Sequence, residues 1–365
     1  MKIGVLTYHF SINWGAVLQC YALREALEAL GHDAYVINFV SEEQADNVAL
    51  YRKNNSLQSI LKNMLLLPFH RQRKTRNKLF ETFVQEKMNV TKRVTNYDEF
   101  IRLQEEEKFD AIFVGSDQVW NPQIKDFNDI FFLKGIRNTK SIGYAVSLGE
   151  AGYTDLLPYT DFIKAFDIVS VREESAASII KKLYDGNVLM AMDPTFLLSH
   201  SHWMELSANT KHNDKRYSIA FFLNKEKYEQ NLASAKAFSD KNGLEMILLD
   251  MRVSKTSIRY KGVISVGPQE FLQYIAGASC VITDSFHGTV FSILLNRPFY
   301  SINNNPNSTD TRRSELLARF SLGKYYIPIT DLSKSTIEDY NCEKVNKALE
   351  EIRNNSIELI KKMLN

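Results

Sequence analysis

Short apolar runs alternate with amphipathic helical segments along most of the chain. In the first half, the strand-like runs begin at residues 2, 34, 109, 140, 166 and 188. Each run ends in small or polar residues and is followed by a loop or by apolar residues at helical spacing. Parallel strands joined by helices form a doubly wound sheet. Residues 1–195 are therefore predicted to be an α/β, Rossmann-like N-terminal domain.

A second series of the same kind follows. Its strand-like runs cover residues 216–223, 244–250, 262–267, 279–285 and 298–303. The dipeptide Asp193-Pro194 breaks the alternation between the two series, and we place the domain junction there. Residues 196–340 are predicted to be a second Rossmann-like domain, because the pattern of strands and helices repeats.

The last segment, residues 341–365, is predicted to be an amphipathic helix. Its apolar residues follow helical spacing: Val345, Leu349, Ile352, Leu359, Ile360 and Met363. An apolar helix face needs another surface to cover it. We expect this helix to pack back on the N-terminal domain, and the two Rossmann-like domains to face each other across a cleft.

Residues 41–108 differ from the rest of the N-terminal domain, because they are polar and helical in pattern. They contain the basic run "HRQRKTRNK" at residues 70–78. A solvated helix face explains such a run. A surface for anionic lipid or pyrophosphate explains it as well, since cations near an acidic membrane are attracted to it. Both interpretations stay open at this stage.

Composition and charge narrow the class of protein. A length of 365 residues favours two domains, and a formal net charge of +2 gives no reason to expect nucleic acid. Three widely spaced cysteines (Cys20, Cys280 and Cys342) are predicted to be buried free thiols. The apolar run after Met1 is too short for a signal peptide, and no run is long enough to cross a membrane. We therefore expect a cytoplasmic protein.

Polar residues at the ends of the predicted strands are the candidates for chemistry. Those of the N-terminal domain are Asn13, Gly15, Ser116, Asp117, Gln118, Trp120 and Asn121. The Gly15 loop precedes a helix, so it is either an anion site or a tight turn. No glycine-rich dinucleotide motif or P-loop occurs in the sequence. No cluster of metal-ligating residue types is apparent, so no metal site is predicted.

Arg172 and His287 stand out among the strand-end residues. Arg172 follows an apolar strand and precedes two glutamates, so it forms either a surface ion pair or a guanidinium fork for phosphate or carboxylate. His287 lies in "VITDSFHGTV", where a strand gives way to a helix. It is either a structural histidine or a group that moves a proton.

Five motifs together resemble the polysaccharide pyruvyl transferase family. They occur in that family's order and are "NWGAVLQCYAL", "DAIFVGSDQVWNP", "SVREESA", "DPTFLL" and "TDSFHGTVFSILLNRPF". The resemblance implies a fold like that of two-domain glycosyltransferases of the GT-B type. It also implies transfer of the pyruvyl group of phosphoenolpyruvate to two hydroxyls of a sugar, which forms a cyclic ketal.

The resemblance also implies roles for individual residues. His287 matches a histidine that is a proposed general acid/base, and Arg172 matches an arginine that binds the donor. Several members have an arginine where this chain has Ser285. Arg312 and Arg313 are therefore our candidates for the missing positive charge. The other residues of the motif are Ser285, Gly288 and Thr289, which we place at the donor, and Asp284, which we place at the acceptor or cleft.

The implied chemistry needs no cofactor besides phosphoenolpyruvate as co-substrate. An acid protonates C3 of the donor, a sugar hydroxyl attacks C2, phosphate leaves, and the second hydroxyl closes the ring. The expected acceptor is a hexose in a polysaccharide or lipid-linked oligosaccharide precursor, with peripheral contact to an anionic membrane. The alternatives are a nucleotide-sugar glycosyltransferase and a non-catalytic glycan- or anion-binding relative.

Overall fold

The computed structural model describes residues 1–51, 53, 56–208, 216–251, 253, 255–305 and 310–365. The chain divides into two compact units. The N-terminal unit comprises Met1–Met64, Glu81–Leu198 and Ile352–Asn365, and the C-terminal unit comprises Leu65–Phe80 and Ser199–Glu351. The segment 41–108 was expected to belong wholly to the N-terminal domain, but residues 65–80 group with the C-terminal unit.

The N-terminal unit is built on a parallel sheet, which has six strands within the described residues. The strands are β1 (Lys2–Leu6), β2 (Asp33–Val36), β3 (Ala111–Val114), β4 (Lys140–Val146), β5 (Ile168–Val171) and β6 (Val188–Met190). Their order in the sheet is β2-β1-β3-β4-β5-β6. The order reverses between β1 and β3, which pair in parallel with Leu6 opposite Val114. The carboxyl ends of these two strands form a topological switch point.

The C-terminal unit is built on a second parallel sheet, with five strands among the residues that are described. They are β7 (Tyr217–Phe221), β8 (Glu245–Leu248), β9 (Cys280–Thr283), β10 (Phe299–Asn303) and β11 (Tyr326–Pro328). The order is β11-β10-β9-β7-β8, so the switch point of this unit lies between β7 and β9. The predicted fold class, α/β with two doubly wound parallel sheets, is confirmed.

Helices connect the strands in both units. In the first part of the chain they are α1 (Trp14–Ala29), α2 (Glu42–Val48), α3 (Leu57–Leu66), α4 (His70–Lys87), α5 (Tyr97–Glu107), α6 (Tyr153–Leu156), α7 (Thr160–Lys164), α8 (Glu174–Ile180) and α9 (His200–Ser207). In the second part they are α10 (Tyr228–Lys241), α11 (Lys255–Arg259), α12 (Pro268–Ala276), α13 (Phe286–Leu294), α14 (Arg312–Arg319), α15 (Ile329–Leu332) and α16 (Cys342–Leu364). Short 3-10 helices cover Leu67–Phe69, Asp129–Phe132, Leu157–Tyr159, Pro194–Leu197 and Gly323–Tyr325.

The C-terminal helix α16 begins and ends within one residue of the segment predicted for it. Val345 and Ile360 on its apolar side are buried. Ile352–Asn365 belongs to the N-terminal unit, as expected for a helix that returns to that unit. Among the described residues, no helix combines the length and the apolar character that crossing a bilayer requires.

Two segments that were expected to be strands are mostly irregular. The run at 188–198 is a strand only to Met190, because Asp193 Oδ1 accepts from the Thr195 N–H at 3.0 Å and starts a 3-10 helix. Pro194, at the first position of that helix, has no N–H to give to a strand ladder. The run at 262–267 forms only an isolated bridge, from Val263 to Leu249. The edge strand β11 was not predicted.

Gly288 allows α13 to lie close to β9. A Cβ atom at Gly288 would stand 2.5 Å from Thr283 Oγ1 and 3.0 Å from Thr283 Cγ2. Thr283 Oγ1 is held in place, since it donates to the Phe221 carbonyl at 2.6 Å and accepts from the Ser285 N–H at 3.0 Å. The side chain therefore has little freedom to move away from an added methyl group.

We predict that Gly288→Ala lowers the free energy of unfolding by about 1–3 kcal/mol, as overpacking typically does. Gly323→Ala is the matched control, because no atom lies within 4 Å of a Cβ built at Gly323. The control should change the free energy of unfolding by less than about 0.5 kcal/mol. Urea denaturation followed by circular dichroism measures both values. Equal values for the two variants would contradict the close approach.

Candidate active site

The first turn of α13 lies at the switch point of the C-terminal unit and contains His287. Ser285 is the N-cap, and its Oγ accepts from the Gly288 N–H at 3.3 Å. Thr289 Oγ1 donates to the Ser285 carbonyl and shares a second hydrogen bond with Ser301 Oγ, each at 3.0 Å. These contacts fix the start of the helix, so Ser285, Gly288 and Thr289 shape the site through the backbone. His287 is 7% exposed, and its ring packs edge-on against Phe286 at 5.2 Å.

Asp284 joins the ends of neighbouring strands at this switch point. Its carboxylate accepts from the N–H groups of Leu223 (2.6 Å) and Asn224 (3.0 Å), which follow β7, and from Asn304 Nδ2 (2.8 Å), which follows β10. Burial raises the pKa of Asp284, and the two backbone hydrogen bonds and the charge of Arg313 partly offset this effect. We expected Asp284 at the acceptor; these contacts give it the structural role of positioning the strand ends.

Arg312 and Arg313, at the start of α14, lie near the first turn of α13. Arg312 is 5.9 Å from the Phe286 ring and forms an ion pair with Asp310 at 2.5 Å. Arg313 NH1 donates to the Ile302 carbonyl at 2.6 Å, and its guanidinium lies 5.2 Å from the Tyr326 ring. Helix N-termini and guanidinium groups both favour anions. This arrangement around His287 can therefore hold a ligand with carboxylate or phosphate groups.

Asp310 sets the electrostatic state of Arg312. Burial alone raises the pKa of Asp310, but the hydrogen bonds and the charge of Arg312, helped by Arg313, outweigh it and lower the pKa to about 2. Asp310 is therefore ionised at neutral pH and cancels part of the positive charge beside α13. An anionic ligand at Arg312 has to share that guanidinium with Asp310.

Arg172 occupies a different environment, in the N-terminal unit. Its side chain is 3% exposed and forms ion pairs with Asp193 (2.6 Å), Asp117 (3.6 Å) and Glu173 (3.6 Å). Three carboxylates already balance the single positive charge, so a trianionic donor would be repelled there. These contacts favour a structural role for Arg172 in the buried network, and the expectation that it binds the donor stays a prediction.

Ser116 belongs to the buried network around Arg172. Its Oγ donates to the Ala145 carbonyl at 2.9 Å, and its N–H donates to Gln19 Oε1 at 3.2 Å. Thr7 Oγ1, which follows β1, donates to the Ser116 carbonyl at 3.1 Å. Neither Thr7 nor Gln19 was predicted from the sequence. Buried polar residues of this kind are found only when their hydrogen-bond partners are known.

His9 at the end of β1 was also missed. It is 2% exposed, with Nδ1 3.2 Å from the Thr7 carbonyl oxygen and Nε2 3.1 Å from Asn38 Oδ1. Burial lowers the pKa of His9, and the two hydrogen bonds partly oppose this effect. A signal was present in the sequence, because His9 follows an apolar strand just as His287 does. Its contacts identify it as a structural histidine.

Two residues expected at the acceptor belong instead to the core or to its capping. Trp120 is fully buried, donates from Nε1 to the Phe131 carbonyl at 3.0 Å and stacks on Phe132. Trp120 is therefore part of the core in this structure, and its place at a ligand site stays a prediction. Asn13 is the N-cap of α1, and its Oδ1 accepts from the Gly15 N–H at 3.1 Å. This bond occupies the N–H group that an anion at the Gly15 loop would need.

Gln118 and Asn121 form a local turn beside this core. Asn121 Nδ2 donates to Gln118 Oε1 at 2.8 Å, and Asn121 Oδ1 accepts from the Gln123 N–H at 3.0 Å. Asn121 is buried, whereas Gln118 and Asp117 are partly exposed. Of the N-terminal candidates, Asn13, Asp117 and Gln118 are thus partly accessible to a ligand.

The basic run at 70–78 is divided between buried and exposed positions of α4. Arg73 and Arg76 are 9% and 6% exposed, and Arg76 NH1 donates to the Met251 carbonyl at 2.7 Å. Burial, with the neighbouring charge of Arg73, lowers the pKa of Arg76 to about 10. Neither of the two interpretations of the run, a solvated helix face or a surface for anions, therefore applies to Arg73 and Arg76, which are buried. Arg71, Lys74 and Lys78 are exposed.

The next features are the possible metal-ligating side chains and the cysteine thiols. Within the described part of the chain, no group of three or more histidine, cysteine or acidic side chains is arranged to hold a metal ion. The cysteines are free, with Cys20 and Cys280 buried and Cys342 half-buried. Burial raises the pKa of the Cys280 thiol to about 12, so its reactive thiolate form is scarce at neutral pH.

Comparison with known proteins supplies a family and a fold. The family model described as polysaccharide pyruvyl transferase matches residues 13–306. The fold is similar to that of UDP-GlcNAc 2-epimerase from Methanocaldococcus jannaschii in complex with UDP-GlcNAc and UDP. The TM-score is 0.55, and the identity is 14% over 100% of this chain and 99% of that chain. It is also similar to the fold of UDP-GlcNAc 2-epimerase from Neisseria meningitidis bound to UDP-GlcNAc. The TM-score is 0.51, and the identity is 10% over 100% of this chain and 99% of that chain.

These structural similarities establish the fold alone, because the identities are low. The neighbours have the GT-B fold, which confirms the GT-B-like architecture expected from the sequence. No curated protein matches the chain significantly in sequence.

We predict that Arg172→Met lowers the free energy of unfolding of the N-terminal unit by about 3–5 kcal/mol, because it leaves buried carboxylates without their counter-ion. Arg172→Lys should lower the free energy of unfolding by less, since lysine keeps the positive charge beside the carboxylates. Arg102→Met, at an exposed position of α5, is the control and should be nearly neutral. Urea denaturation and calorimetric titration with phosphoenolpyruvate are measured on each variant. An Arg172→Met protein of wild-type stability that no longer binds phosphoenolpyruvate would restore Arg172 as a donor ligand.

We predict that the stabilising effect of Asp310 depends on pH. The pKa of Asp310 is lowered from its ordinary value of 3.8 to about 2, so its contribution to stability is present above pH 3.8 and is lost as the pH falls towards 2. The difference in the free energy of unfolding between the wild type and Asp310→Asn should be about 2 kcal/mol at pH 7 and roughly half of that at pH 3. A difference that does not change between these pH values would show that the ion pair with Arg312 does not stabilise the fold.

Proposed function

The chain belongs to the polysaccharide pyruvyl transferase family, and we propose that it transfers the pyruvyl group of phosphoenolpyruvate to two hydroxyls of a sugar, forming a cyclic ketal. The observation that carries the proposal is the position of His287 in the first turn of α13, next to Phe286, whose ring lies 5.9 Å from the guanidinium of Arg312. A proton donor surrounded by anion-binding groups is what this reaction requires of a protein.

His287 is proposed to be the general acid/base. It donates a proton to C3 of phosphoenolpyruvate, which turns the methylene carbon into a methyl group, while a sugar hydroxyl attacks C2 and gives its own proton back to the imidazole. The C2–O bond to phosphate then breaks, and the second hydroxyl attacks C2 and closes the ring, with its proton passing to the departing phosphate. Histidine suits such steps because imidazole both donates and accepts protons near neutral pH.

The donor's negative charge is proposed to be held from α13 and α14. Ser285 stands where several members of the family have an arginine, and a serine supplies no charge. Arg312 and Arg313 come from the next helix along the chain and supply two guanidinium groups. Arg313 points towards the end of β10 through its bond to the Ile302 carbonyl, and Arg312 towards Phe286. Guanidinium groups form charge-assisted hydrogen bonds with carboxylate and phosphate.

The acceptor is proposed to be a hexose in a polysaccharide or lipid-linked oligosaccharide precursor, handled in the cytoplasm at the inner face of the membrane. Ketal formation needs two hydroxyls within reach of one carbon, and a sugar ring offers such pairs. In the N-terminal unit, the partly exposed Asp117 and Gln118 are the candidates for contact with sugar hydroxyls. The proposed chemistry uses no cofactor besides the co-substrate.

A second candidate is transfer from a nucleotide sugar. The observation that favours it is the similarity of fold to epimerases in complex with UDP-GlcNAc. The α13 N-terminus and Arg312 would suit a diphosphate as well as a phosphoenolpyruvate. Mass spectrometry of the products separates the candidates, since one releases inorganic phosphate and adds a pyruvyl ketal, whereas the other releases a nucleoside diphosphate. A third candidate, a non-catalytic relative, would bind a donor without forming either product.

We predict that His287→Gln lowers turnover by about 10²–10⁴-fold, because glutamine fills a similar volume and forms hydrogen bonds but moves no proton. Binding of phosphoenolpyruvate, measured by calorimetry, should stay within a few-fold of the wild type. Turnover is measured as phosphate release in the presence of a lipid-linked oligosaccharide acceptor, with and without EDTA.

His202→Gln is the matched control. His202 lies on α9, outside the α13 site, so this variant should retain wild-type turnover. Near wild-type phosphate release from His287→Gln would exclude His287 as the acid. Loss of phosphoenolpyruvate binding together with turnover would make it a binding residue instead.

A further inference from the structure

Helix α3 carries an apolar face that is exposed to solvent. The residues of this face are Leu57, Ile60, Leu61, Met64 and Leu65, which follow the i, i+3, i+4, i+7, i+8 spacing of one helix side. Their exposed fractions run from 39% for Ile60 to 74% for Leu65. Leu67, in the 3-10 helix that follows, is 58% exposed. The opposite side of α3 is mostly polar, with Gln58, Ser59, Lys62 and Asn63, and ends in Leu66.

An amphipathic helix in a globular protein normally buries its apolar side. Helix α16 of this chain does so, with Val345 and Ile360 buried. None of the residues of α3 is buried. Large exposed apolar patches mark surfaces that bind a partner or a membrane. Helix α3 is too short to cross a bilayer, since its ten residues span about 15 Å.

The charge around α3 identifies the chemistry of the partner. Residues 47–80 contain eight lysines and arginines and no aspartate or glutamate. Three of these cations are exposed in the residues that follow α3, namely Arg71, Lys74 and Lys78 on α4, and Lys62 on α3 itself is also exposed. A long lysine side chain beside an apolar face can extend its ammonium group to the lipid headgroups. Apolar residues flanked by cations are typical of helices that lie in the interface of an anionic bilayer.

We propose that α3 is an interfacial membrane helix, whose apolar face inserts between the headgroups of an anionic lipid bilayer while the neighbouring cations bind those headgroups. A second copy of this chain fits the surface less well, because a two-fold interface would bring two positively charged segments together. The inference deepens the proposed function, since a lipid-linked acceptor would be held at the same surface. Its test does not depend on activity.

The test is sedimentation of the full-length protein with vesicles of phosphatidylcholine alone, or of phosphatidylcholine and phosphatidylglycerol in a 3:1 ratio, at 50 and 500 mM salt. Wild-type protein is expected to bind the anionic vesicles at least tenfold more tightly than the neutral ones at low salt, and this preference should shrink at high salt. Leu61→Asp/Leu65→Asp should lower binding at least tenfold, since it puts charge into the apolar face.

Gln58→Asp/Ser59→Asp is the matched control, because it makes the same change of charge on the polar side of α3. It should keep most of the binding, and circular dichroism should show that both variants are folded. Equal loss in the two double variants would overturn the insertion of the apolar face. Absence of wild-type binding to anionic vesicles would overturn the proposal as a whole.

Light scattering after size exclusion tests the other occupants. A wild-type dimer that Leu61→Asp/Leu65→Asp turns into a monomer, without vesicle binding by either protein, would assign the face to a second copy. Failure of the proposed pyruvyl transfer would leave vesicle binding unaffected. The two proposals are therefore distinguishable.

Discussion

Parallel pairing of the strands is the constraint on which the rest of the structure depends. Every pair of strands given for the two sheets runs in parallel, so within each sheet all the strands end at one edge. Most strands return through a helix, whose N-terminus begins at that same edge, although the connection from β3 to β4 contains only the 3-10 helix Asp129–Phe132. Polar groups from distant parts of the sequence are thereby brought together. Asp284, which accepts from residues after β7 and β10, is the clearest instance.

The two units differ in how the charge of an arginine near the strand ends is balanced by acidic side chains. In the N-terminal unit, Arg172 is surrounded by three carboxylates, so its charge is used within the protein. In the C-terminal unit, Arg312 pairs with Asp310 and lies 5.9 Å from the ring of Phe286 in the first turn of α13, where the potential of the helix N-terminus is positive. A residue type alone therefore does not determine the electrostatic environment of a strand-end arginine. The number and burial of the surrounding acids determine it as well.

The strands and helices could be predicted because their patterns are local. Alternating apolar runs and helical spacing located β1, β9, α13 and α16 to within a few residues. The site assignments were less reliable, because they depend on contacts with residues that are far away in the sequence. The indole of Trp120 is covered by Phe131 and Phe132, and Asp193 pairs with Arg172 twenty-one residues away. No spacing rule contains such contacts, so Trp120 and Arg172 were assigned to a site that their burial argues against.

The basic run of α4 contributes residues to both the buried side and the exposed side of the helix. Arg73, Arg76 and Phe80 are three and four residues apart, so they share one side of the helix, and all three are buried. Arg71, Lys74 and Lys78 have the same spacing two positions away and share the other, exposed side. The buried arginines stabilise the fold, as the bond from Arg76 to the Met251 carbonyl shows. Only the second set can contribute to attraction of an anionic surface, so the charge available there is smaller than the sequence alone implies, and the membrane association that we propose relies on the apolar face of α3 in addition.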